Sequence, residues 1–156
     1  MRRKLFWVFV ALQVVVPAAV AGLREADVAF AQHVLLRVEP VDPRDPFRGQ
    51  YVALGYGIST LPHLGASEGD CAYVRLYRAN GEWRGVYAGS REPDDWPYIR
   101  GRIEGGRIVF GIERFYTSED DARRYENALT ADRLYADVAL GRGGRATLTR
   151  LVIRDL

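Results

Sequence analysis

From Leu5 to Leu23 the chain carries no charged residue, and from residue 32 onward apolar and polar residues largely alternate. These two patterns predict two different objects. A 19-residue uncharged run wound as a helix spans roughly 28 Å at about 1.5 Å per residue, close to a bilayer core of about 30 Å. Gln13 and Pro17 interrupt the run, but spanning helices accommodate both. Helical sequence continues without a linker through Arg24-Glu25-Ala26-Asp27-Val28-Ala29-Phe30. The segment 1–31 therefore reads as a cytoplasmic start, a transmembrane anchor and a helical extension.

The alternating part, 32–156, reads as a chain of hairpins. His33 to Val38 predicts a strand with Val34, Leu36 and Val38 on one face. Three prolines hold residues 40–47 extended, since proline has no amide to give to a ladder. Gln50 to Ile58 predicts the second strand, with Val52, Leu54, Tyr56 and Ile58 towards the core and Tyr51, Ala53, Gly55 and Gly57 on the other face. Cys71 to Arg78 and Glu82 to Ala88 flank Asn80-Gly81, a strong hairpin signal because both turn positions take positive φ. Tyr98 to Glu104 and Arg107 to Glu113 flank Gly105-Gly106. Thr117 or Ser118 caps a helix whose first turn is acidic and which ends near Leu129. Arg133 to Leu140 and Arg145 to Ile153 make a last hairpin. The expected fold is mainly β: a small antiparallel barrel or sandwich of about eight strands with one short helix, preceded by one N-terminal transmembrane helix.

One stretch stands apart. Gly49-Gln50-Tyr51-Val52-Ala53-Leu54-Gly55-Tyr56 follows Pro40-Val41-Asp42-Pro43-Arg44-Asp45-Pro46-Phe47-Arg48. It resembles the signature of the GDYXXLXY family, bacterial membrane-anchored proteins whose role is largely uncharacterised. Gly49, Tyr51, Leu54 and Tyr56 match, while Gln50 stands where the family has Asp. The resemblance extends to the N-terminal hydrophobic helix, to Gly111-Ile112-Glu113-Arg114-Phe115-Tyr116 ahead of the short helix, and to the closing hairpin. It implies an uncleaved anchor, and a partner in the bilayer, because members occur beside a multi-pass membrane protein.

Charge sets the orientation. The formal net charge is +2, but Arg2, Arg3 and Lys4 supply three of the 22 basic residues, leaving 19 against 20 acidic ones. The part beyond the apolar run is thus slightly acidic and offers no basic field to nucleic acid. Basic residues before the run, with Glu25 and Asp27 after it, put the N-terminus inside and 32–156 outside the cytoplasmic membrane. Ala19-Val20-Ala21 also fits a signal-peptidase site, which would release the domain on the same side. Cys71 is the sole cysteine, excludes an internal disulfide, and reads as a small buried apolar residue.

The chain carries little recognisable catalytic chemistry. Lys4 is the only lysine and lies across the anchor, so a Ser/Lys peptidase is excluded. His33 and His63 are far from any Gly-x-Ser-x-Gly elbow. No metal-ligand spacing, calcium loop or phosphate loop is present, so no catalytic residue, metal or cofactor is assigned. A polar constellation remains: Asp42, Arg44, Asp45, Arg48, Gln50 and Tyr51, with Glu113, Arg114 and Tyr116 later. Arginine–carboxylate forks there can lock a loop, or grip a polar ligand or partner. The expected function is an extracytoplasmic accessory or binding module, held in the inner membrane through 5–23 and acting with an integral membrane partner. The alternatives are an enzyme using carboxylates such as Asp45 and Glu113 on cell-envelope material, or a peptide or glycan sensor.

Overall fold

The computed structural model describes residues 2–29, 31–40, 51–63, 65–95 and 97–154. The chain divides into two compact units, Met1–Ala31 and Gln32–Leu156. The first is one helix, α1 (Arg2–Ala29), which runs through Pro17. Its described side chains form an unbroken run only from Phe9 to Gly22, and nearly all of them are exposed. Among the described residues no helix is long and apolar enough to cross a membrane. The transmembrane span expected over 5–23 is thus not found there.

The second unit is mainly β. Its strands are β1 (Gln32–Glu39), β2 (Tyr51–Ala53), β3 (Gly55–Tyr56), β4 (Cys71–Ala79), β5 (Glu82–Gly89), β6 (Tyr98–Glu104), β7 (Arg107–Val109), β8 (Arg114–Tyr116), β9 (Leu134–Leu140) and β10 (Ala146–Ile153). A helix, α2 (Glu119–Thr130), separates β8 from β9. The ordering is β10-β9-β1-β3 in one sheet, β5-β4-β6-β7 in another, and β2-β8 as a two-stranded piece. Every pairing is antiparallel.

The turn chemistry predicted the hairpins well. Asn80 and Gly81 take φ of 53° and 82° and set Ala79 opposite Glu82. Gly105-Gly106 joins β6 to β7 with Glu104 opposite Arg107. Ser118 caps α2, its side chain accepting the Asp121 amide at 3.3 Å.

Among the described residues ten strands replace the expected eight or so, because two long runs break. The run 50–58 is cut at Leu54 and ends in a 3₁₀ turn over Gly57–Thr60. The run 107–113 stops at Val109, and Gly111, at φ 81°, turns the chain into β8. The expected inner face survives the break: Val52, Leu54, Tyr56 and Ile58 are all buried. They join Val34, Leu36 and Val38 of the first large sheet and Val74, Leu76, Ile99 and Ile103 of the second in one core.

The β2-β8 pair links the two large sheets through the chain, since β2 leads into β3 and β8 follows β7. The arrangement falls between the two expected architectures. Its strands wrap one core like half a barrel, and no sheet among the described residues is hydrogen-bonded into a closed ring.

Candidate functional site on the signature strands

The signature strand and the segment 110–116 form one joint. Tyr51, Val52 and Ala53 of β2 lie opposite Tyr116, Phe115 and Arg114 of β8. At the strand break the Leu54 amide donates to the Glu113 carbonyl at 2.9 Å. Two residues on, the buried Tyr56 hydroxyl donates to the Ile112 carbonyl at 2.8 Å. The Glu113 carboxylate turns back to accept the Phe110 amide at 2.6 Å. Breaking a strand exposes backbone groups that must find partners if buried, and these bonds supply them. Burial, and behind it the Glu113 carboxylate, push the Tyr56 hydroxyl above the usual tyrosine range.

The pleat sends alternate side chains to opposite sides. Outside, the Tyr51 and Tyr116 rings meet at 5.8 Å between centroids, tilted by 57°. The Arg114 guanidinium sits over the Tyr51 ring, 5.7 Å from its centroid. Tyr116 is 68% exposed. Two phenols and a guanidinium form an amphipathic patch. Such a patch suits peptide, glycan or protein surfaces, because each group offers an apolar face and a polar edge.

Of the nine residues expected at a site, the structure brings Tyr51, Arg114 and Tyr116 together. It gives Glu113 to the strand joint instead. Asp42, Arg44, Asp45, Arg48 and Gln50 lie outside the described residues, and so does the loop lock or grip expected of them. Cys71 is half-buried rather than a core residue, and the Arg100 guanidinium donates to its sulfur at 3.6 Å. Among the described residues, no group of three His, Cys, Asp or Glu side chains is placed to hold a metal ion.

A second polar cluster escaped the sequence reading. Asp137 is 6% exposed in the middle of β9, where every residue is buried. His33 Nδ1 of β1 donates to its carboxylate at 2.7 Å, and Arg150 Nε of β10 at 3.0 Å. A β-bulge between Leu148 and Arg150 aims that arginine, and Thr149 Oγ1 bonds the Asp137 carbonyl at 2.8 Å. Burial alone would raise the Asp137 pKa, but the His33 and Arg150 hydrogen bonds outweigh it and hold the carboxyl below its usual range. The available signal was one Asp within the otherwise apolar Leu-Tyr-Ala-Asp-Val-Ala-Leu strand. His63, by contrast, is bonded locally, with Nδ1 3.0 Å from the Leu61 carbonyl.

A mainly β domain behind an N-terminal helix, its signature strand tied to the segment ahead of a short helix, is the class of protein these features define. The GDYXXLXY protein family model matches residues 13–151, and the chain belongs to that family. No curated protein and no solved structure matches it.

Proposed function

We propose that this chain is a non-enzymatic binding or accessory module, held at the bacterial inner membrane by its N-terminal helix, with residues 32–156 outside the cytoplasm. One observation carries the reading. In α1, Trp7, Phe9, Leu12, Val14, Val15, Val16 and Val20 are all at least half exposed, and Gln13 is the only polar side chain between Phe9 and Gly22. A helix that is apolar all round requires an apolar surrounding. The occupant proposed is lipid. The uncharged sequence extends over 5–23 with Arg2-Arg3-Lys4 before it and acidic residues after it, the charge order of a helix whose N-terminus stays inside. The Tyr51, Arg114 and Tyr116 patch then faces an integral membrane partner.

The test is fractionation of the full native-length chain, followed by carbonate extraction and protease treatment of spheroplasts. The chain should stay with the membrane after extraction, and its β domain should be cleaved from outside. Recovery in a soluble fraction, or protection from external protease, overturns the proposal.

A further inference from the structure

A surface cleft of about 350 Å³ in the β domain is lined by Arg100, Arg102, Arg142 and Arg145, with Glu104 as its one carboxylate. Four arginines against one glutamate leave an excess of three positive charges in a domain that is slightly acidic as a whole. Chain geometry builds this concentration. Arg100 and Arg102 are two residues apart on β6 and both exposed, so the pleat puts them on one face. Arg142 and Arg145 bracket the turn before β10. Gly144 presses that turn onto β6: a Cβ there would meet the Tyr98 ring at 2.7 Å and the Arg100 amide nitrogen at 3.0 Å, and its φ is 72°. Glycine at this position thus brings the two pairs of guanidinium groups to one cleft.

Three other arginines of the domain differ. Arg37 pairs with Asp132 and Glu82, Arg75 with Asp95, and Arg150 with Asp137. Among the described residues, no carboxylate pairs with any of the four cleft arginines. Arg100 has a thiol as its side-chain acceptor and Arg102 has the Gly69 carbonyl at 3.2 Å, which leaves most of their donors free. Gathering like charges with only Glu104 in the cleft wall to oppose them works against folding, and a concave wall with an excess of one sign concentrates anions.

The geometry points to a binding site for a phosphate-bearing ligand. A single carboxylate can fill one guanidinium fork and cancel one charge. A phosphate brings about two charges and three acceptor oxygens, which matches several forks around one cleft. A soluble phosphate and a phospholipid headgroup share this chemistry.

The experiment titrates the full chain in neutral detergent with inorganic pyrophosphate, and separately with a short-chain phosphatidylglycerol below its micelle concentration, by calorimetry. Saturable binding of either supports the site, and whichever binds more tightly identifies the source. The Arg100→Gln/Arg142→Gln double variant should bind at least tenfold more weakly, while Arg75→Gln binds as the parent does. Without ligand, the double variant should melt no lower than the parent, because it loses repulsion and no ion pair. Absence of saturable binding, equal binding by the double variant, or an equal loss in Arg75→Gln each overturns the assignment.

Discussion

The two faces of the signature segment carry different loads. Inside, Val52, Leu54 and Tyr56 are each 1–2% exposed, and the strand break at Leu54 is tied to Glu113 and Ile112 by backbone-directed hydrogen bonds. Outside, the Tyr51 ring meets the Tyr116 ring and the Arg114 guanidinium, and Arg114 and Tyr116 are exposed. The pleat thus separates a structural joint on the inner side from an aromatic and cationic face on the outer side. A recurring motif need not mark a reactive site. Here Leu54 and Tyr56 are accounted for by packing and hydrogen bonding, while Tyr51 lies on the outer face against Tyr116 and Arg114.

The sharpest way to break this comparison is Leu54→Asp. An unpaired carboxylate in the core costs several kcal/mol, on the order of the whole stability of a small domain. The variant should fail to show a cooperative melt, whereas Tyr51→Ala should melt within a few degrees of the parent. Comparable losses for the two would mean that the outer face is as structural as the inner.

Tyr56→Phe comes next. It removes the donor to the Ile112 carbonyl and leaves that buried oxygen unmet, a loss of about 1–3 kcal/mol in denaturant unfolding. The raised Tyr56 pKa also fixes a sign. A group whose folded pKa lies above its unfolded value contributes stability below about pH 10, lost as pH rises further. Tyr56→Phe should flatten the alkaline limb of the stability profile, and an unchanged limb would refute this role.

Asp137→Asn should cost less, about 1–2 kcal/mol, because both partners of this buried carboxylate are well exposed and solvent-screened. Its folded pKa is depressed, so its contribution is present above about pH 4 and is lost as pH falls through the folded value. Urea unfolding at pH 7 and at pH 3 should show a smaller difference between parent and variant at the lower pH. A difference that grows on acidification contradicts the assignment. The smallest stability change belongs to Tyr116→Ala, under about 1 kcal/mol for an exposed ring, accompanied, on the function proposed above, by loss of a membrane partner from pull-downs of mildly solubilised membranes.

How much of this was legible in the chain follows from the range of the forces involved. Hairpins at Asn80-Gly81 and Gly105-Gly106 and the Ser118 cap are local chemistry, and periodicity predicts them to within a residue or two. The inner face of 50–58 was equally readable, because alternation persists across the break. The break itself was not, because it depends on the Leu54 amide meeting Glu113, far along the chain. Glu113, read as a site carboxylate, lies at the strand joint and accepts the Phe110 amide, a placement that likewise depends on the fold. Asp137 was missed because its partners come from strands more than a hundred residues before and thirteen after it. The arginine cleft was hidden because charge counted over the whole sequence cancels a concentration that only the fold creates.

The most direct test of the central claim, that the signature divides into an inner joint and an outer recognition face, pairs Tyr56→Phe with Tyr116→Ala in the full chain. Thermal melting and partner capture are measured on the same detergent-purified samples. The account predicts that Tyr56→Phe melts lower and still captures its partner, while Tyr116→Ala melts as the parent does and captures none. Capture retained by Tyr116→Ala, or melting lowered by it as far as by Tyr56→Phe, would contradict the claim.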